Sequence, residues 1–472
     1  SKLNPLLWRL RFLANSNSST SFRIMERFTL ACGPVYGGPH KVRINNSHSI
    51  RLPLDLLLLF LLVPSHLWFN PVSNALAVAF LILYLILTLV GPPLPDEVTT
   101  ARFRHRVGFT LRLTLVLFFV MLATVLPTGL NIAERRAEGP ETNAHDGLIQ
   151  TEEAIKFLLE GKNPYAENYL DTPMAEWEGG EAGFEPTDAP LYHNAYLPAL
   201  FLVSIPFYQL SHMIFGWYDQ RFVYLLLYAI LLLLLPLLVG RQRDKLSLLI
   251  ALGLNILFPL FLAEGRNDVV ILFWLVLATF LLARGYPRSS AVVFAIAVTT
   301  KHSAWFFLPF YFLYLLPEIS WNGIRQALRH SWPFFLTVGL VIVPFLVWDA
   351  SSFVDDTFFY LVGWSEKSFP ARGMGFSILL LASGILPASD APFPFFALEL
   401  TVGLPVLWLM LRYQWRRNTL ARVWMGFAAF SLAVQYFSRF FNDNYIMFIL
   451  LSFIIAGVIS ASPEPEKETV NP

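Results

Sequence analysis

The residues best suited to chemistry are ionisable side chains at the ends of apolar runs or inside them. Asp146 stands beside His145 in the segment Asn143-Ala-His-Asp-Gly147, shortly after such a run. A carboxylate in that position can take the proton of a hydroxyl within hydrogen-bond reach. Its plainer use is as the cap of a helix starting near Gly147. Arg266 and Asp268 lie in Gly265-Arg-Asn-Asp268, spaced to face a ligand or to pair with each other. Lys301 interrupts a long apolar stretch, and Lys367, Arg372 and Arg439 follow in later polar segments. These cations are the charge-assisted donors that hold a phosphate, and His145 is placed to touch the same substrate. Ionisable groups at membrane depth are costly and therefore tend to mark a site or a pathway. Asp355 and Asp356 suggest a cation site, but two adjacent acids lack a third ligand, and no metal is expected.

The elements that must position these residues are set by composition. Of the 472 residues 56% are hydrophobic and only 14% charged, with a mean hydropathy of +0.55, values far outside a water-soluble mixture. Apolar runs near the roughly 20 residues needed to cross a hydrocarbon core recur along the chain, so the expected fold is all-α, a polytopic transmembrane bundle. A net charge of +1 excludes nucleic acid, which needs a concentrated basic face. The single cysteine, Cys32, excludes an intrachain disulfide and any multi-cysteine metal site.

Residues 1–52 are basic and read as a cytoplasmic segment. Spans are expected over residues 53–69, 75–90 and 109–126, which brings the chain out into a large first outer loop over residues 130–196. That loop carries amphipathic helices and is rich in Glu and Asp but poor in Lys and Arg, as an outside location requires. Residues 197–213, with Pro198 and Pro206, are expected to dip into the membrane as a broken helix and return. Further spans follow over residues 222–239, 246–263 and 269–283. Two short arms over residues 289–316 are expected to meet at Lys301, and a span over 332–348 to lead to an outer loop from 349 to 375. The segment 376–387 is too short to cross, whereas 395–411, 423–437 and 445–459 cross, for about 10 to 13 membrane helices in all, some broken. The tail over residues 462–472 reads as disordered. On this threading four polar clusters, 143–147, 264–268, 364–373 and 438–445, share the outer face, with Lys301 pointing up from below.

Motif order resembles the C-type glycosyltransferases, polytopic enzymes that take a sugar from a polyprenyl-phosphate carrier. An Asp soon after an early span, then A-x-x-x-L-L-x-G-K-N-P-Y over residues 154–165, then Tyr196-Leu-Pro198 entering the next helix, is similar to their first outer loop. Gly265-Arg-Asn-Asp268, an apolar span ending at Arg284 and a small-residue helix ending at Lys301 resemble the branch that includes the polyprenol-phosphate-mannose-dependent mannosyltransferases. Phe369-Pro-Ala-Arg-Gly373 is similar to a later outer-loop pattern of that branch. The likeness covers residues 108–461, the catalytic module it implies; spans 53–107 look like an addition. Tyr196-Leu-Pro stands where the family has Tyr-Pro-Pro, and Lys301-His-Ser-Ala where it has Lys-x-x-Pro.

The resemblance implies an inverting hexosyl transfer from a polyprenyl-phosphate sugar to an acceptor hydroxyl on the outer face of a bacterial plasma membrane. Asp146 would be the base, needing no metal, while Arg266, Lys301 and Arg372 stabilise the leaving phosphate. The lipid-linked sugar is a co-substrate, so no cofactor is expected; membrane lipids and membrane-complex subunits are the expected partners. Two other readings compete: a secondary transporter or flippase, which would show internal repeats not evident here, and a non-catalytic subunit of a membrane complex.

Overall fold

The computed structural model describes residues 53–63, 71–92, 94, 103–177, 188–255 and 258–462, so the expectations for residues 1–52 and for the tail after 462 lie outside the described residues. Helices dominate. They run α1 Leu54–Leu62, α2 Pro71–Leu89, α3 Phe103–Val120, α4 Leu126–Glu138, α5 Asp146–Leu159, α6 Ala199–Phe215, α7 Arg221–Leu234, α8 Gln242–Gly253, α9 Asp268–Ala283 and α10 Pro287–Val298. After them come α11 Leu308–Leu315, α12 Trp321–Val354, α13 Tyr360–Val362, α14 Phe376–Ala382, α15 Phe395–Arg416, α16 Leu420–Tyr436 and α17 Asp443–Ala461. Strand structure among the described residues is one parallel pair, β1 Arg372–Gly373 on β2 Phe440–Phe441.

Among the described residues five helical stretches are long and apolar enough to cross a membrane: Arg106–Glu138, Arg221–Leu238, Trp321–Val362, Phe395–Arg416 and Asp443–Ala461. Four shorter apolar helices, Asn74–Leu89, Ala199–Phe215, Asp268–Ala283 and Pro287–Val298, complete the apolar set. One side of α12 exposes Trp332, Leu336, Leu340, Val343 and Val347. Neighbours at three- and four-residue spacing share a helix face, and this face is apolar outward, the surface that suits a hydrocarbon solvent.

Several boundaries differ from those expected, among them the run expected as one span over 246–263, whose α-helix ends at Gly253 with a separate helical turn over Phe258–Leu262. Helix α3 continues into α4 through a π-helical turn, Met121–Val125, so the first outer loop begins after Glu138 and not at 130. Helix α12 likewise continues past a kink at Asp349 and through a second π-helical turn, Asp355–Phe359, into α13, occupying half of the segment expected to be loop. A π turn interrupts the ladder without ending the helix, and the Glu, Arg and Ala residues of 133–138 are themselves good helix formers. Helix α6, expected to be broken, is continuous with Pro206 inside it. Both its ends are tied to loop structure: Ala199 N–H donates to Thr299 O, and Ser211 Oγ donates to Trp217 O, whose ring lies 5.0 Å from the Arg136 guanidinium. The segment lies against α5 as one unbroken helix.

A buried charge cluster fixes that arrangement. Arg135 on α4 donates to both oxygens of Glu152 on α5, at 2.9 and 2.8 Å, and to Asp219 Oδ2 at 3.0 Å. Arg221, fully buried at the start of α7, holds Asp219 through Nε and Nη2, and its Nη1 donates to the carbonyls of Asn143 and Ala263 at 2.9 and 2.8 Å. Two segments 120 residues apart are thus pinned to one guanidinium. The backbone N–H of His145 donates to Glu264 O at 2.7 Å beside that clamp.

Breaking a buried pair by removing one partner costs about 3–5 kcal/mol. Arg221→Leu is expected to lower the thermal unfolding temperature of the detergent-solubilised protein strongly, and adding Asp219→Asn to restore part of the loss. Equal stability of wild type and Arg221→Leu would show that the cluster does not hold these segments.

Candidate functional site

A cavity of about 450 Å³ collects residues from all four polar clusters together with Lys301. His145 and Asp146 enter it from the start of α5, Arg266 and Asp268 from the turn before α9, Lys301 from the turn after α10, Arg372 from β1, and Arg439 from the residue preceding β2. The strand pair is what brings the last two together, because Arg372 N–H donates to Arg439 O and Met374 N–H to Phe441 O. Gly373 is obligatory at that crossing: its φ is +98°, and a Cβ would stand 2.3 Å from the Phe441 carbonyl oxygen. Lys367 stays outside the cavity, reaching Asp188 Oδ2 at 2.8 Å over the ring of Tyr192. It therefore stands apart from the phosphate place expected of it, since a half-exposed ammonium finds a carboxylate of the first outer loop.

Asp146 is the first residue of α5, and its surroundings dictate its state. Oδ1 accepts the Gly147 N–H at 2.5 Å and lies 2.6 Å from His145 Nδ1. His145 Nδ1 also lies 3.1 Å from the Gly147 nitrogen, but it cannot donate to Asp146 and accept from Gly147 at once. The shorter carboxylate contacts settle the assignment: both donors turn to Oδ1. Oδ2 has no hydrogen-bond partner among the described residues. Burial pushes the Asp146 carboxyl up, but His145, the Arg372 guanidinium and the Gly147 N–H outweigh it and hold the group at about 2. Gly147 leaves room for Tyr196, whose hydroxyl would stand 2.1 Å from a Cβ there.

The cations are less free than their sequence positions imply. Lys301 Nζ donates to Asn267 Oδ1 at 3.0 Å and Asp268 Oδ1 at 3.1 Å, with the Tyr445 and Tyr196 rings at 5.3 and 6.0 Å. Asp268 Oδ2 accepts from Asn444 Nδ2 at 2.7 Å. Arg266 pairs with Glu264 and Asp443, so Arg266 and Asp268 do not pair with each other. Arg439, buried, gives its donors to the carbonyls of Phe369, Ala391 and Ser389. Arg372 stacks its guanidinium 4.4 Å from the Phe369 ring and faces Asp146 closely enough to lower its carboxyl. The cavity lining thus holds four cations, Arg266, Lys301, Arg372 and Arg439, against three carboxyls, Asp146, Asp268 and Glu399.

A third partner for the acidic pair does exist. His193 Nδ1 lies 2.8 Å from Asp356 Oδ1, and the ligand atoms of His193, Asp355 and Asp356 lie within 4.8 Å of one another. Asp356 Oδ2 already accepts the Asn194 N–H at 2.7 Å, and Asp355 accepts from Ser365 Oγ, so the trio fastens the end of the first outer loop to the π turn of the long helix. His193 lies too far from the acids in sequence for spacing to reveal it. Glu399 carried a legible signal that went unread, an ionisable residue inside an apolar span.

Toward α15 and α16 the wall becomes apolar, lined by Phe306, Phe396, Leu400, Leu404, Phe430 and Val434. No family model, curated protein or solved structure matches the chain.

The Asp146 ionisation gives a direct check. Because its folded pKa lies below the ordinary carboxylate value of about 4, the ionised group stabilises the fold above that value and the contribution is lost as pH falls toward 2. His145→Ala removes the strongest opposing partner, so the Asp146 protonation midpoint, read from its carboxyl infrared band against Asp146→Asn, is expected to rise. An unchanged midpoint would mean that His145 does not set it.

Proposed function

We propose that the chain is a lipid-phosphate-sugar-dependent glycosyltransferase acting at the outer face of a membrane, with Asp146 accepting the proton of the acceptor hydroxyl. The observation that carries this reading is a single cavity in which an ionised carboxylate with one unengaged oxygen faces arginine and lysine side chains, and whose far wall is apolar. That combination suits an amphipathic substrate with a phosphate between a sugar and a hydrocarbon tail: cations for the phosphate, apolar helices for the tail. The motif order of the C-type glycosyltransferases supports the same reading.

The low proton affinity of Asp146 shapes the mechanism. A carboxylate held near pH 2 does not deprotonate a resting alcohol. The acceptor oxygen bonds to the anomeric carbon as the carbon–oxygen bond to the phosphate breaks, and the new bond makes that oxygen strongly acidic. Its proton then passes to Asp146 Oδ2, and the polyprenyl phosphate leaves with the electron pair of the broken bond. Attack opposite the departing phosphate inverts the anomeric centre. Arg372, facing Asp146, and Arg266 stabilise the charge growing on the phosphate. Lys301 takes part only by exchanging Asp268 for a phosphate oxygen, which makes it a weaker contributor than its isolated position in the sequence implies.

General-base groups contribute about 10²- to 10⁴-fold. Asp146→Asn, which keeps the shape and the Gly147 contact, is expected to lower transfer from a polyprenyl-phosphate hexose by that factor at unchanged donor affinity. Transfer at the wild-type rate would remove Asp146 from the reaction.

A further inference from the structure

The polar side chains that face the cavity fall into two groups. Those of the cationic pole are engaged with protein partners, as described. Elsewhere in the lining His302, the chain neighbour of Lys301, and Glu399 and Gln435 make no side-chain hydrogen bond among the described residues. Glu399 lies one turn into α15, half-buried among Phe396, Leu400 and Leu404. A Cβ on Gly403 would meet Val434 Cγ2 at 2.8 Å and the Phe430 ring at 3.4 Å, so α15 and α16 touch there. The two helices are consecutive and antiparallel, joined through residues 417–419. One turn back along α15 therefore matches one turn forward along α16, which sets Glu399 level with Gln435. His302 begins the 3-10 turn His302–Phe307, which packs on α16 through Phe306 against Phe430 and Phe307 against Phe427.

Covering these polar groups is unfavourable unless the ligand that covers them replaces their hydrogen bonds to solvent. The neighbourhood selects what that is. A cationic ligand group is repelled by the four cations of the lining, and an anionic one by Glu399. A hydrocarbon tail would leave all three groups without partners. A neutral polyol fits, because adjacent hydroxyls supply both donors to the carboxylate and acceptors to the amide. We infer that His302, Glu399 and Gln435 form a hydroxyl-reading subsite for a sugar ring.

This deepens the transferase reading and rests on it for the source of the ring, which is either the hexose on the lipid phosphate or a carbohydrate acceptor. The test uses the full chain in lipid nanodiscs with three probes: polyprenyl phosphate, polyprenyl-phosphate hexose taken as the tightest of its mannosyl, glucosyl and galactosyl forms, and the methyl glycosides of the same sugars. If the ring belongs to the donor, wild type binds the glycosylated lipid about tenfold more tightly than the bare lipid, the worth of one or two hydrogen bonds to a charged or amide group. Glu399→Leu and Gln435→Leu abolish that preference and leave bare-lipid affinity unchanged, while Glu399→Gln retains part of it. If the ring belongs to the acceptor, the two lipids bind alike and a methyl glycoside binds in a manner lost in Glu399→Leu. Sugar-probe binding insensitive to both leucine variants overturns the subsite. Wild type that ignores both lipids but binds a methyl glycoside through Glu399 overturns the transferase reading and upholds the subsite. Unfolding temperatures matching wild type qualify each variant.

Discussion

Everything in the site hangs on the Arg135–Glu152–Asp219–Arg221 cluster. Four charges with almost no exposure are tolerable only because each finds oppositely charged partners at 2.8–3.0 Å and the remaining donors meet carbonyls. The geometry this forces is specific. The end of α4, the middle of α5 and the start of α7 meet at one point, and Arg221 draws the segment before Asp146 against the segment before Arg266. An apolar cluster of similar volume would pack those helices but would not set the register of two loops.

The second constraint is electrostatic balance. Lys301 and Arg266 rest on carboxylates, and the lining as a whole lies close to neutrality. A phosphate entering this cavity replaces partners already in place, which limits affinity for the bare anion and favours ligands that add contacts elsewhere. Asp146 obeys the same logic in reverse. Held ionised by His145, Arg372 and the Gly147 N–H, it carries the fixed negative charge that the proposed transfer would set against an anomeric centre becoming positive.

Much of this was legible in the sequence. Hydropathy and the distribution of Lys and Arg located the apolar helices and put the polar clusters of 143–147, 264–268, 364–373 and 438–445 on one side, where the fold gathers them. Lys301 at the meeting of two short arms was readable because a lone Lys in an apolar run must find a partner. Polarity misled at 130–138 and 349–362, where helix continues through residues that look like loop. Proline misled at 206, where the helix simply continues. Pairwise identities were out of reach: nothing in local spacing tells that Lys301 belongs to Asp268, that Lys367 turns to Asp188, or that His193 joins Asp355 and Asp356 from the far end of another segment. Glu399 was within reach, since a carboxyl inside a span asks for a reason.

The most direct measurement is an experimental structure of the full chain in a lipid bilayer disc with a non-transferable polyprenyl-phosphonate hexose bound. The account places the phosphonate within hydrogen-bond distance of the Arg372 guanidinium, the tail along Leu400, Leu404 and Phe430, and Asp146 Oδ2 on the face of the anomeric carbon away from the phosphonate. A lipid bound outside this cavity, or an Asp146 carboxylate turned from the sugar with Arg372 remote from the phosphonate, would contradict it.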